Sequence, residues 1–315
     1  MLLGLTLVTA LAATDAGIPE EPPTFPMLPK MAKAMEPQVN APWVKSWLRE
    51  VKSLPSVKPT TWFCTKDQQR CEPTRPDGGA DWLERAVDDE YVYARITDPI
   101  AYARPFEILA KNGFNPTGKK VLDFGYGNLG QLVMLARLGV DVHGIEIDAL
   151  LPLATKAVTG KQGKGNVTLH HGFFASDQKL VSEVGGGYAL WMSKNTLKRG
   201  YVHPAEPKDA KAQLDLGLDD AALLKLIHSQ LAPGGYFFIY NIAPAQAEPY
   251  KPMADGRCPF TKEALTAAGF EVIAFDVDDS KAVRDMARAL EWAAPGEDLE
   301  KTLFATFTLA RRAAK

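Results

Sequence analysis

The chain has 315 residues, 46% hydrophobic and 23% charged; this is globular composition, long enough for one large domain or two, and it excludes a disordered chain. Its 36 basic and 38 acidic side chains leave a formal net charge of −2, so no global charge draws it to nucleic acid or anionic lipid, and a nucleic-acid binder is disfavoured. No apolar run reaches the length of about 18 residues that a membrane span needs.

Residues 1–17, MLLGLTLVTALAATDAG, carry an apolar stretch from Leu2 to Ala13 and a small-x-small pattern at Ala10-Leu11-Ala12. They are read as a signal peptide or disordered leader, although no Lys or Arg precedes the apolar stretch. A secreted or periplasmic location is favoured over the cytoplasm. Residues 18–79 are rich in proline, which removes backbone donors, and predict an extended arm with one short helix over 43–51, where Trp43, Trp47 and Val51 share a face. Cys64 and Cys71 have the spacing of a small disulfide loop, or are two unrelated reduced thiols; Cys258 reads as a small buried hydrophobe.

Residues 80–116 are expected to form a helical cap, with helices over ADWLERAVDDEYVYARI and over 100–112, the second ended by Gly113. From Lys119 strands and helices alternate. VLDF, VDVHGIEI, NVTLHH, GYALWM, GGYFFIYNI, FEVIAFDV and LFATFTLA read as seven strands, with Asp219 and Thr261 as helix N-caps between them. This predicts an α/β fold, a doubly wound, seven-stranded, mostly parallel sheet over residues 117–315. Such sheets bind ligands beyond the carboxyl ends of their strands, where the strand order reverses.

The first of these strands runs into VLDFGYGNLG, residues 121–130, with glycines in a GxGxxG spacing. Gly125 permits a sharp turn, Gly127 a close approach of backbone to ligand, and Gly130 tight packing of helix on strand. Glu146 ends the second strand, 21 residues after Gly125, where a carboxylate can accept hydrogen bonds from ribose hydroxyls. A dinucleotide dehydrogenase would share these features. Asp123, two residues before Gly125, argues against a pyrophosphate and for a cationic ligand, because opposite charges attract strongly in a partly dry cleft. LAPGG at 231–235 marks a tight turn into the fifth strand.

With D-F-G-Y-G-N-L-G at 123–130, G-I-E-I-D at 144–148 and L-A-P-G-G-Y-F-F-I at 231–239, the chain resembles the class I S-adenosylmethionine-dependent methyltransferases over about residues 117–310. The resemblance implies a Rossmann-like methyltransferase fold with an antiparallel last strand, and S-adenosyl-L-methionine as cofactor. It also implies methyl transfer to a small-molecule acceptor by in-line displacement. Asp123, Gly125, Tyr126, Gly127 and Gly130 would form the cofactor loop, Glu146 would hold the ribose, and Ile147 would pack on the adenine. After the third strand the family often places an acid on the adenine amine; Phe173 stands there, with Phe174 and Asp177 as alternatives. The alternatives are an NAD(P)-dependent oxidoreductase and a non-catalytic binding module that retains the fold.

Displacement at a sulfonium depends on positioning, with a general base only where the nucleophile carries a proton. The loop after the fourth strand, SKNTLKRGYVHP, offers His203 as a base and Lys194, Asn195 and Tyr201 as acceptor-side candidates. Tyr91, Tyr93, Arg95, Tyr240 and Asn241 are weaker candidates for closing or lining the cleft. His170 and His171 are neighbours on a strand and face opposite ways, and no metal constellation is read. Nothing fixes the oligomeric state.

Overall fold

The computed structural model describes residues 24–67, 69–77, 82–96, 98–155, 158–206 and 214–314. The leader at residues 1–17 lies outside them. In chain order come α1 (Thr24–Met35), α2 (Pro42–Arg49), β1 (Thr60–Thr65), β2 (Cys71–Glu72), β3 (Trp82–Val87), α3 (Asp89–Tyr93) and α4 (Ala103–Lys111). There follow β4 (Lys120–Phe124), α5 (Gly130–Arg137), β5 (Asp141–Glu146), α6 (Leu150–Ala154), β6 (Gly160–Gln162), β7 (Gly165–His171), α7 (Gln178–Val184) and β8 (Tyr188–Lys194). The chain continues through α8 (Arg199–Val202), α9 (Asp220–Gln230), β9 (Leu231–Pro244), α10 (Lys262–Ala267), β10 (Phe270–Asp278), α11 (Ser280–Ala289) and β11 (Leu303–Arg312).

The large sheet has the order β10-β11-β9-β8-β4-β5-β7-β6. β4 is parallel to both β5 and β8, and β11 is antiparallel to its neighbours β9 and β10. This is the doubly wound, Rossmann-like sheet that the alternation of elements predicts, with one strand more than expected. The extra strand is β6, Gly-Lys-Gln, three residues paired antiparallel on the edge of β7 with no apolar side chain to signal a strand. The inner strands read as continuous apolar runs because both faces are covered. Leu132, Trp47, Phe106 and Met286 pack on one face, and Leu180, Leu223, Ile227 and Leu265 on the other.

The N-terminal expectations need correction. The described part of residues 18–79 is not an extended arm. Leu28, Ala32 and Met35 recur at helical spacing and are buried, so α1 forms with Pro29 inside it. Trp82–Val87, expected as helix, is strand β3, because β1 offers it a six-residue antiparallel register from Thr60↔Val87 to Thr65↔Trp82. Cys64 and Cys71 face each other across β1 and β2 and are disulfide-bonded. Cys258 is buried and free.

Candidate active site at the sheet switch point

The strand order reverses between β4, which continues to β5 and β7 on one side, and β8, which continues to β9 on the other. The loops after β4 and β8 therefore share a crevice. Gly125 and Gly127 have φ of +72° and +65°, the left-handed region where a side chain would strain the backbone. Gly130 packs so closely that a Cβ there would lie 2.8 Å from Pro99 and 3.0 Å from the Tyr93 carbonyl. Tyr126, between the first two glycines, is fully buried in the apolar core, its ring against Gly144.

Glu146 ends β5 beside this loop. Its Oε2 accepts from the Gly127 N–H at 3.1 Å and its Oε1 from the Ile147 N–H at 2.8 Å. Burial raises its carboxyl above the usual range, against the pull of those two hydrogen bonds. Glu146 lines a cavity of about 80 Å³ together with Gly125, Ile147, Phe173, Phe174 and Thr196. Ile147 and Phe173 are 36% and 51% exposed, high for large apolar side chains that line a cavity. Phe174 is buried against Phe124 and still lines the cavity, whereas Asp177 is outside its lining and caps α7 through the Lys179 and Leu180 N–H groups.

Asp123 does not line this cavity. It is 1% exposed and accepts from the Gln131 amide at 3.3 Å. Burial pushes its carboxyl up to about 6, opposed by Gln131, Tyr102 and the nearby Lys194 charge. Lys194 is buried as well, its ammonium 5.0 Å from the Tyr102 ring. Burial brings it down to about 8, while Asp123 and Asp98 hold it up. Asp98 is pushed up to about 6 by burial, with the Lys194 charge among the effects that oppose the push. Asp123 was expected to meet a cationic ligand; within the protein the Lys194 charge acts on it.

The other acceptor-side candidates do not converge. Asn195 adopts φ +64° and bonds β9 through Ile242 N–H (2.7 Å) and the Tyr240 carbonyl (3.0 Å). Tyr201 lies under the Lys198 ammonium at 5.5 Å. His203 is half-exposed and paired with Asp220 at 3.0 Å; it does not line the crevice cavity itself but a neighbouring one that shares Leu214, Asp215 and Leu216 with it. Tyr240 is buried with its hydroxyl on Asp279, and Asn241 donates to the Leu197 carbonyl. Tyr91 and Arg95 do reach the crevice side: both bond Asp148, at 3.2 and 2.7 Å, and tie the cap to the loop after β5. Tyr93 instead donates to the Pro55 carbonyl.

Sequence reasoning missed Thr196, which touches Gly125; Ile96, which would lie 3.1 Å from a Cβ on Gly127; and Gln69, which donates to the Ile147 carbonyl at 3.2 Å. Asp148 stood in the GIEID motif, but its partners are remote in sequence. Among the described residues no group of three or more His, Cys, Asp or Glu could hold a metal, and no helix is long and apolar enough to cross a membrane.

No protein-family model and no curated protein matches the chain. Solved structures do match. A putative sarcosine dimethylglycine methyltransferase from Galdieria sulphuraria is 17% identical, covering 69% of this chain and 89% of its own, with a TM-score of 0.44. The [4+2]-cyclase SpnF is 15% identical over 95% of this chain and 100% of its own, at 0.45. Geranyl diphosphate C-methyltransferase from Streptomyces coelicolor is 11% identical over 67% and 79%, at 0.45. Likeness this distant carries no argument about activity, which must come from the crevice residues.

Proposed function

We propose that the chain binds S-adenosyl-L-methionine at the switch point and transfers its methyl group to a small-molecule acceptor. The observation that carries this reading is Glu146. A half-buried acid at the end of β5, held by the Gly127 and Ile147 N–H groups, borders a cavity beside two exposed apolar side chains. Ribose hydroxyls suit the acid, and a base suits Ile147 and Phe173.

The fit is good for the adenosine half and incomplete for the rest. A cavity of about 80 Å³ is smaller than the several hundred Å³, roughly 300 or more, of a ligand pocket. Room for the whole donor comes from Thr196 and Ile96 yielding from Gly125 and Gly127, or from the adjoining cavity that shares Leu214, Asp215 and Leu216 with this one. When bound, the donor supplies an electrophilic methyl; the chain supplies the ribose acid, the apolar base walls and close backbone approach at the glycines. Ligand binding without transfer is the second reading, favoured by the scatter of Lys194, Asn195, Tyr201 and His203. The NAD(P) oxidoreductase reading has no observation of its own.

Calorimetric titration of the full chain with S-adenosylhomocysteine and with NAD tests the reading. Binding of the former and not the latter is expected; NAD alone binding would reverse the assignment. Methyl transfer to a small-molecule panel then separates the enzyme from the binding module.

A further inference from the structure

Gln69 reaches from the disulfide loop to the residue that follows Glu146. Its Nε2 donates to the Ile147 carbonyl at 3.2 Å, and His171 Nε2 lies 3.0 Å from the same oxygen. The Ile147 N–H is held by Glu146 Oε1 at 2.8 Å. The N–H and the C=O of one residue are therefore fixed from two directions, and the side chain between them is a wall of the crevice cavity.

The described residues of the loop that carries Gln69 are tied to one another. The Cys64–Cys71 disulfide closes it. Inside it, Thr65 N–H donates to the Arg70 carbonyl at 2.9 Å, and Asp67 Oδ1 accepts from Thr65 Oγ1 at 2.5 Å and Gln69 N–H at 3.1 Å. The Arg70 guanidinium lies 5.4 Å from the centre of the Trp82 ring. A donor on a pre-ordered loop makes its hydrogen bond without paying the ordering entropy that a free loop would. Opening the disulfide returns that entropy to the loop.

We propose that the disulfide-closed loop buttresses Ile147, a wall of the adenosyl crevice, from outside. Gln69 is a positioning residue that sets Ile147 against the base, so that ligand affinity depends on the oxidation state of Cys64 and Cys71. This rests on the adenosyl reading of the crevice. The redox step is a two-electron, two-proton exchange: an external dithiol breaks the S–S bond, leaves two cysteine thiols and is itself oxidised to a cyclic disulfide. Both sulfurs belong to buried residues, so a Cys64→Ser/Cys71→Ser double variant stands beside chemical reduction.

The experiment uses the full chain, with hydrogen exchange at residues 146–148 and calorimetric titration of S-adenosylhomocysteine. Dithiothreitol, or the double variant, should speed exchange there by about tenfold and weaken binding by about threefold to tenfold. Gln69→Glu keeps the size and loses the donor, and should do the same with the disulfide intact. Gln69→Lys still donates and should stay near wild type; the Gln69 variants keep the test sharp if the double variant fails to fold. Equal exchange in oxidised, reduced and Gln69→Glu protein overturns the proposal, whether or not ligand binds. A response to reduction with none to Gln69→Glu overturns the role of Gln69. A wild type that binds no adenosyl compound overturns the functional reading, and the exchange response then supports the loop's hold on Ile147 by itself.

Discussion

Thr196 stands directly on Gly125. Its hydroxyl donates to the Gly125 carbonyl at 3.3 Å, and a Cβ built on Gly125 would lie 2.1 Å from Thr196 Oγ1 and 2.7 Å from Thr196 Cβ. The loops after β4 and β8 thus close on each other at the point where the sheet reverses. The missing side chain at Gly125 leaves room for a side chain of the same protein.

Gly125→Ala should be destabilising by two routes. Left-handed backbone at φ +72° costs a non-glycine residue about 1–2 kcal/mol, and overpacking against Thr196 adds about 1–3 kcal/mol. Adding Thr196→Gly should recover the second part and leave the first. Urea unfolding of the two single variants and the double variant measures this. Strict additivity would mean that the two loops do not press on each other.

Glu146→Ala should weaken S-adenosylhomocysteine binding by about 1–3 kcal/mol, through lost hydrogen bonds to the ribose. The pH dependence has a definite sign. The ionised carboxylate accepts from hydroxyl donors, and burial raises its pKa above 4.5. Wild-type affinity should therefore fall as pH drops from 7 toward 5, while the Glu146→Ala protein stays flat over the same range. Calorimetry at the two pH values decides; parallel curves would remove Glu146 from the ribose.

Local signals made the main sheet legible. A run such as GGYFFIYNI pairs with neighbours on both sides, and Asp219 and Thr261 bond the N–H groups of Ala222 and Ala264 as N-caps should. The Gly-loop and Glu146 were legible together because β4 and β5 are in parallel register, Asp123 opposite Gly144, which brings both carboxyl ends to one edge. What stayed hidden depends on remote partners. β3 exists because β1 is beside it. Asp123 is sealed by Tyr102, Gln131 and Lys194, which come from three different elements. His203 has the chemistry of a base, but it is paired with Asp220 and lines the cavity next to the crevice.

Lys198 is 1% exposed, and its ammonium donates to the Ile242 carbonyl at 2.6 Å. Burial, with repulsion from Lys194, brings its pKa down to about 7 from 10.5. The unfolded chain binds this proton more tightly than the folded one, so the contribution is greatest above pH 10.5 and is lost as pH falls toward 7. Between pH 10 and pH 8 the wild type should lose about 2–3 kcal/mol relative to Lys198→Met, which has nothing to titrate. Urea unfolding of both proteins at the two pH values checks it, and an unchanged difference would show that the lysine is solvated.

His143 and His170, side by side on β5 and β7, should make the protein sensitive to acid. Their rings stack at 5.3 Å, with Nδ1 of His143 3.0 Å from Nε2 of His170, and both are buried. Burial lowers the pKa of His143 to about 4, helped by Lys120 and opposed by Asp141 at 3.5 Å; burial lowers that of His170 too, with Glu183 opposing. Both rings are kept neutral in the fold and take up protons when it opens. The stability they contribute is present above 6.5 and is lost as pH falls toward 4. For His143 alone, the loss by pH 5 should reach about 2 kcal/mol. His143→Gln keeps a neutral hydrogen-bonding side chain at every pH and should flatten that part of the curve, leaving the shallower slope of His170. Urea midpoints for the two proteins at pH 7 and pH 5 give the comparison. Equal losses would mean that the His143 ring is protonated, and accommodated, inside the folded sheet.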